Sequence, residues 1–318
     1  MRDFKLTYYR DIHSKKIDWL WYPYIPYGKI TIIQGDPGEG KTTFVLSLLS
    51  ILSTGGILPC SEKTIFGKAV YQNTEDNNED TIKPRLEIHG ADCSNICFIE
   101  KAHGQLTIND EELGDAVKES GAKVLVLDPI QSFIGENIDM NRANVVRPRM
   151  NKLKEIAEST GCAILLVGHL NKNASGKANY RGLGSIDFSA AARSVLVIGR
   201  PSNNPQIRVV AQQKNNLGPI GHSIAFGLNK GKVEWLGKYN ITAEELVSYN
   251  GPEKEISKLT EANILLSQLL ANGPKSYKEI MERALAEGIG KRTMVEAKSN
   301  LGIASIRKTD GWYWKKEN

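Results

Sequence analysis

The sequence predicts an α/β fold: a mostly parallel sheet with an antiparallel extension, followed by a small C-terminal domain. Three observations carry this. Short segments that are apolar throughout alternate with helical stretches over the first half of the chain. Closely spaced strand segments separated by turn residues come next. A polar stretch containing Gly251-Pro252 then precedes a compact tail. At 318 residues, 41% hydrophobic and 24% charged, the chain has room for one large α/β core and a small appendage.

Composition narrows the classes further. No apolar run approaches the roughly 18 to 20 residues needed to cross a bilayer. The start, Met1-Arg-Asp-Phe-Lys5, lacks the basic-then-apolar pattern of a secretory signal. The expectation is a soluble, cytoplasmic protein with no membrane partner. Four cysteines (Cys60, Cys93, Cys97, Cys162) agree with a reducing compartment. Cys93 and Cys97 have no second pair of Cys or His at a matching spacing, so no zinc site is expected. The net charge of +5 permits a polyanionic partner, and its excess is concentrated late. From Ser257 onward there are 11 Lys/Arg against 7 Asp/Glu, a balance of +4.

The elements follow in order. After the aromatic segment Trp19-Leu-Trp-Tyr-Pro-Tyr-Ile-Pro-Tyr27, residues 29–34 read as a short buried strand rich in β-branched side chains. A Gly-rich turn leads to a buried helix over 41–53, which Gly55-Gly56 and Pro59 stop. Strands are expected at 68–73, 96–100, 124–128 and 162–168, and helices at 80–88, 110–119 and 146–159. Segments near 194–199, 206–213, 223–226 and 232–236 read as the antiparallel extension. The domains are therefore 1–238 and 260–318, with a linker over 239–259.

Gly35-Asp-Pro-Gly-Glu-Gly-Lys-Thr42 fits G-x-x-x-x-G-K-[ST] at every fixed position and lies between a strand and a helix. Gly35, Asp36, Pro37, Gly38, Glu39, Gly40, Lys41, Thr42 and Thr43 would wrap the phosphates of ATP with backbone N–H groups. Lys41 would reach the β- and γ-phosphates and the Thr42 hydroxyl would hold Mg²⁺. Val124-Leu-Val-Leu-Asp128 is an apolar strand ending in a carboxylate suited to the same Mg²⁺. Pro129 follows, so the hydrolytic base must come from elsewhere. Glu75, with Asp76 beside it, stands at the end of the strand that leaves the first helix; the alternative is that both only cap the loop before the next helix.

The phosphate loop, the carboxylate after the second strand, the Asp-terminated strand and His169-Leu-Asn-Lys172 together resemble the RecA/DnaB superfamily, most closely the RepA-like hexameric helicases. The likeness covers roughly residues 12–236. It implies a RecA-like ATPase core, with Glu75 as the catalytic carboxylate, Asp128 as the magnesium residue and His169 as a sensor of the γ-phosphate. The family builds its site between subunits of a homo-oligomer, usually a hexamer, where a neighbour supplies a cation. The spacing from Gly184-Ser185 to Arg193 is similar to that of the family's arginine finger. Lys214-Asn-Asn-Leu-Gly218 resembles the Lys-x-Arg element of DnaB-type helicases with Asn216 in the arginine position, which makes Lys214 the alternative. The polar stretches 135–149 and 171–184 correspond to loops lining the channel of such rings. Arg142, Arg147, Arg149, Lys172 and Lys177 are the candidate contacts there to single-stranded DNA.

The tail reads as three helices, at 260–270, 276–285 and 291–299, and a hairpin around Thr309-Asp-Gly311. This order resembles a winged helix-turn-helix, with Lys291, Arg292 and Lys298 on the recognition helix and Arg307 and Lys308 on the wing facing duplex DNA. A protein-docking winged helix is the alternative. The expected function is a DNA-dependent ATPase of the replicative, plasmid- or phage-type helicase kind. The rival is an ATP-switched DNA-binding regulator or helicase loader. A small-molecule kinase is disfavoured because no lid or acceptor-binding segment is apparent.

Overall fold

The aromatic segment forms a small antiparallel ribbon, β1 (Trp19–Trp21) and β2 (Ile25–Pro26). Trp21 is fully buried against Phe44 and Trp235, and its indole N–H donates to the Pro59 carbonyl at 2.9 Å. The structure, a computed structural model, describes residues 5–135, 138–140, 142–170, 186–202, 204–249, 262, 265–266, 269–270, 273–308 and 311–316. The chain divides into two compact units, Met1–Asn250 and Gly251–Asn318.

In the first unit the elements run β3 (Ile30–Gly35), α1 (Lys41–Thr54), β4 (Ala69–Asn73), α2 (Lys83–Ile88), β5 (Ile96–Cys97), α3 (Glu112–Ser120), β6 (Val124–Asp128), α4 (Ala143–Thr160), β7 (Ala163–His169) and α5 (Ile186–Ala191). They continue with β8 (Ser194–Gly199), β9 (Arg208–Asn215), β10 (Ser223–Asn229), β11 (Lys232–Tyr239) and α6 (Ala243–Tyr249). Among the described residues, nine of these strands form one sheet in the order β11-β10-β9-β8-β3-β7-β6-β4-β5. The central parallel strands β3, β4, β6 and β7 are buried along nearly their whole length because both faces are covered, yet the period of two persists inside them. Ile33, Tyr71, Val126 and Val167 pack on the side of α1, whereas Ile32, Val70, Leu125 and Leu166 pack on the side of α3 and α4.

Two expectations are corrected here. Segment 194–199 is not part of the antiparallel extension: β8 runs parallel to β3, with Thr31 opposite Ser194, and reversal begins only at β9. The expected linker start at 239 is also displaced. Ala243, Leu246 and Val247 recur at helical spacing, and α6 buries them against Val197, Val209, Ala211 and Ala225. A reciprocal cap opens this helix: the Thr242 hydroxyl accepts from the Glu245 N–H, while the Glu245 carboxylate accepts from the Thr242 N–H.

The second unit contains β12 (Lys275–Ser276), α7 (Tyr277–Ala286), α8 (Lys291–Asn300), β13 (Ile303–Lys308) and β14 (Gly311–Lys316), with strand order β12-β14-β13. Ser276 caps α7 by accepting from the Glu279 N–H at 3.1 Å. Its core joins Leu265, Leu266 and Leu270 to Ile280, Ala284, Met294, Ala297, Ile303 and Trp314. The central turn residues 309 and 310 lie outside the described residues. No helix among the described residues is long and apolar enough to cross a membrane.

Candidate nucleotide-binding site

β3 hands directly to α1 through the Gly-rich loop, and local geometry dictates the glycines. A Cβ on Gly35 would lie 2.3 Å from the Ile198 carbonyl oxygen, so the close approach of β8 excludes any side chain. Gly40 immediately precedes α1 at φ +82°, a left-handed conformation that glycine adopts without strain. The free N–H groups of the first helical turn then point out of the loop, where an anion is favoured.

Lys41 is buried and folds back over the loop. Its Nζ donates to the carbonyls of Gly35 at 2.9 Å and Asp36 at 2.8 Å and lies 3.2 Å from His169 Nδ1. An ammonium has only protons to offer, so Nδ1 is the acceptor and the imidazole proton sits on Nε2. Nε2 in turn faces Glu75 Oε1 at 3.9 Å. Burial pulls the Lys41 pKa down, against the pull of Asp128 and three further carboxylates. Phosphate oxygens arriving at the loop would replace the carbonyls now satisfying the ammonium.

Asp128 ends β6 in the sheet interior. Its Oδ2 accepts from the Thr42 hydroxyl at 2.9 Å and from the Tyr71 hydroxyl at 3.0 Å. Burial pushes its pKa up, opposed by these two hydroxyl donors. Two hard oxygen ligands on neighbouring elements suit Mg²⁺, with the rest of its shell left to phosphate and water. No cluster of three or more His, Cys, Asp or Glu able to hold a metal occurs among the described residues, so an all-protein cage is absent there.

The loop after β4 shows how Glu75 is presented. Asn73 Oδ1 accepts from the N–H groups of Glu75 at 3.1 Å and Asp76 at 3.0 Å, closing a tight side-chain-supported turn. The next helical turn is capped by Asn77, which accepts from Glu79 and Asp80. Asp76 pairs with Arg85 at 2.8 Å. The Glu75 side chain is 61% exposed and lines a cavity of about 490 Å³ with Pro37, Gly38, Lys41, Thr42, Asp128 and His169. The structure thus gathers Lys41, Thr42, Glu75, Asp128 and His169 around one space; Gly40 and Thr43 also border it.

Three cations at this edge escape the sequence reading. Arg85 borders the same cavity. Arg200 donates to the Gly38 carbonyl at 3.2 Å, with its Nε 3.4 Å from Glu39 Oε2. Arg208 places its Nε 3.2 Å from where a Gly40 Cβ would stand. Burial raises the pKa of Glu39, and Arg200 and Arg208 oppose that shift. The missing signal was strand direction: once β8 is parallel to β3, the residue after Gly199 must emerge beside the phosphate loop.

The remaining candidates lie elsewhere. Arg193 sits at the opposite edge of the sheet, its N–H donating to Ile30 at the start of β3. Lys214 is engaged within its own unit, donating to the carbonyls of Ser189 at 2.6 Å and Ala192 at 3.0 Å. Arg147 pairs with Asp187 at 2.7 Å, Arg149 braces the Ile134 and Val145 carbonyls, and Arg142 lies 3.3 Å from Asp139. Lys172 and Lys177 lie outside the described residues.

In the second unit Lys291 and Arg292 stand exposed on α8, and Lys308 ends β13. Lys298 reaches across to β13, donating to the Ser305 hydroxyl at 2.8 Å, and Arg307 stands over Trp312.

Among known proteins, the family described as an AAA domain matches residues 13–175, just over half of the chain. The DNA repair protein RadA of Bacillus subtilis (strain 168) is 26% identical over 150 residues, 46% of this chain and 29% of that protein. The DNA repair protein RadA of Aquifex aeolicus (strain VF5) is 22% identical over 150 residues, 46% of this chain and 30% of that protein. The chain therefore spans less than a third of the length of these curated relatives. The solved structure titled ATPase domain of G40P gives a TM-score of 0.50 at 14% identity, covering 66% of this chain and 85% of that one, which is a likeness of fold.

Proposed function

The chain belongs to the AAA domain family and has a RecA-like P-loop core, and from that premise we propose that it is a DNA-dependent, Mg²⁺-requiring ATPase. The observation that carries the reading is the convergence of Lys41, the Thr42–Asp128 pair and the Glu75–His169 pair on one cavity at the C-terminal ends of the parallel strands. In this reading Lys41 neutralises the β- and γ-phosphates. Thr42 and Asp128 would hold Mg²⁺, which would supply positive charge against the negative charge developing on the transferred phosphoryl group. Glu75 orients the attacking water, and His169, held by Lys41, senses the γ-phosphate.

DNA is the proposed polymer, and a helicase-type homo-oligomer, a hexamer in the RepA-like pattern, is the proposed assembly. The names of the RadA relatives as DNA repair proteins support the first. Arg193 supports the second, because it lies at the far edge of its own sheet and would complete a site only in a neighbouring copy. The second unit supports a winged helix-turn-helix assignment, with two helices leading into an antiparallel hairpin.

The test is ATP turnover with and without single-stranded DNA, together with molecular mass in solution under the same conditions. Stimulated turnover and ATP-dependent assembly are expected. Lys41→Ala should abolish turnover and strongly weaken nucleotide binding, since the charge-assisted phosphate contact and the loop geometry are lost together. A well-folded Lys41→Ala variant that still hydrolyses ATP would remove the reading. ATP-dependent DNA binding without unwinding would favour the switch or loader form.

A further inference from the structure

The ribbon of β13 and β14 carries an aromatic face that the ATP site does not use. Pairing sets Ser305 opposite Trp314 and Arg307 opposite Trp312, so these four side chains share one face. Trp314 is 4% exposed and belongs to the core of the unit. Trp312, two residues earlier on the same face, is 55% exposed. The face therefore runs from packed interior to open surface. A cavity of about 400 Å³ lies where it emerges, lined by Tyr277, Val295, Lys298, Ser305, Trp312 and Trp314.

Each ring of this region has a cation over it. Lys291 Nζ lies 5.9 Å from the centre of Tyr277, Lys298 Nζ 5.3 Å from Trp314, and the Arg307 guanidinium 5.9 Å from Trp312. Lys298 is fixed by its bond to Ser305 Oγ at 2.8 Å, and the lining residues include no carboxylate. An indole face left in solvent between cations suits a flat π-system attached to negative charge. Bases in a duplex already stack on their neighbours and cannot lie on an indole beside it. An unpaired base can, and its flanking phosphates then meet the cations.

We propose that this corner of the second unit is a single-strand platform, with one unpaired nucleobase stacked on Trp312 and the adjoining phosphates on Arg307 and Lys298. The chemical class is single-stranded nucleic acid, read by stacking and charge rather than by base edges. A docked apolar peptide would have no use for the three cations. The inference rests on the DNA-binding part of the function proposed above, and shifts the main contact from the exposed face of α8 to the hairpin.

The test uses the full chain, a labelled oligodeoxythymidylate of about 16 nucleotides, and a hairpin duplex of mixed sequence. Trp312→Ala should weaken single-strand binding about 5- to 150-fold, leaving duplex affinity and DNA-free ATP turnover unchanged. Trp312→Phe should retain most of the affinity but lose the quenching of indole fluorescence that a stacked base produces. Thermal melting checks that the alanine variant remains folded. If wild-type protein binds the oligonucleotide and both variants match it in affinity and quenching, the platform is wrong and the DNA reading stands. Equal loss of single-strand and duplex affinity also overturns the platform, making Trp312 a general backbone contact. Wild-type protein that binds neither nucleic acid overturns the DNA reading and the platform with it.

Discussion

The two ends of the parallel strands carry opposite chemistry. At the C-terminal ends, β3 leads into the phosphate loop, β4 into the Glu75 turn, β6 ends on Asp128 and β7 on His169. At the N-terminal ends, Lys29 pairs with Glu158 at 2.8 Å, Arg193 follows α5, and Lys214 donates to carbonyls in and just after the last turn of α5. The difference has a direct cause. Helices begin where strands end, so the first edge collects helix N-termini and favours anions, while the second collects helix C-termini and favours cations. A basic residue at the second edge therefore has a structural occupation by default. It acquires a catalytic one only if a neighbouring copy brings its own phosphate loop alongside.

The largest test of that contrast concerns Arg193. If the residue acts in trans, Arg193→Ala should bind nucleotide almost normally and hydrolyse it on the order of 10³-fold more slowly. Mixing it with the Lys41→Ala variant should restore partial turnover, because some interfaces would pair an intact loop with an intact arginine. A mixture that stays inactive while subunits demonstrably exchange would leave Arg193 as an edge residue of its own chain.

At the other edge the contrast predicts that Glu75 and Asp76, though adjacent, differ in kind. Glu75 is exposed and borders the cavity, whereas Asp76 is committed to Arg85. Glu75→Gln should retain ATP binding and lose hydrolysis by on the order of 10²-fold, as measured by single-turnover phosphate release. Asp76→Asn should change melting more than rate. The reverse ranking would exchange their roles.

Much of the first edge was legible because its chemistry is local. The phosphate loop, the strand over 124–128 and the strand ending near His169 are each defined by a short run of residue types. What was not legible depended on direction or distance. Residues 194–199 looked like any short strand, and only pairing with β3 shows that Arg200 emerges beside Glu39. The polarity of residues 239–249 suggested a linker, although the spacing of Ala243, Leu246 and Val247 already marked a buried helical face. Lys214 was read from a motif with its arginine missing, and the carbonyls it satisfies come from residues more than 20 positions away.

A smaller effect tests what it costs to bury the Asp128 carboxylate. Burial raises the Asp128 pKa, so the folded chain holds that proton to higher pH than the unfolded chain does. The ionisation penalty is absent below the unfolded value of about 3.9, grows as pH rises towards the raised folded value, and is complete above it. Asp128→Asn keeps an oxygen for the Thr42 and Tyr71 hydroxyls and removes the charge. The ligand-free variant should therefore melt higher than wild type at neutral pH, with the advantage shrinking in acid. A variant less stable than wild type at every pH would mean that the hydroxyl donors outweigh burial.

The smallest expected effect belongs to Lys214, and it separates the two edges most cleanly. Lys214→Met keeps the apolar stem and removes the charge that caps the Ser189 and Ala192 carbonyls. A cation at a helix C-terminus contributes about 0.3–1 kcal/mol, so the melting temperature should fall by about 1–3 °C. The low end is expected, because burial and the nearby Arg193 charge both push the Lys214 pKa down. ATP turnover should remain near wild type, and adding the variant to Lys41→Ala protein should change turnover only in proportion to the active loops it contributes. If Lys214→Met instead melts like wild type and loses turnover by orders of magnitude, Lys214 supplies the trans cation. In that case the N-terminal edge would be part of the catalytic machinery, and its cations more than a response to helix ends.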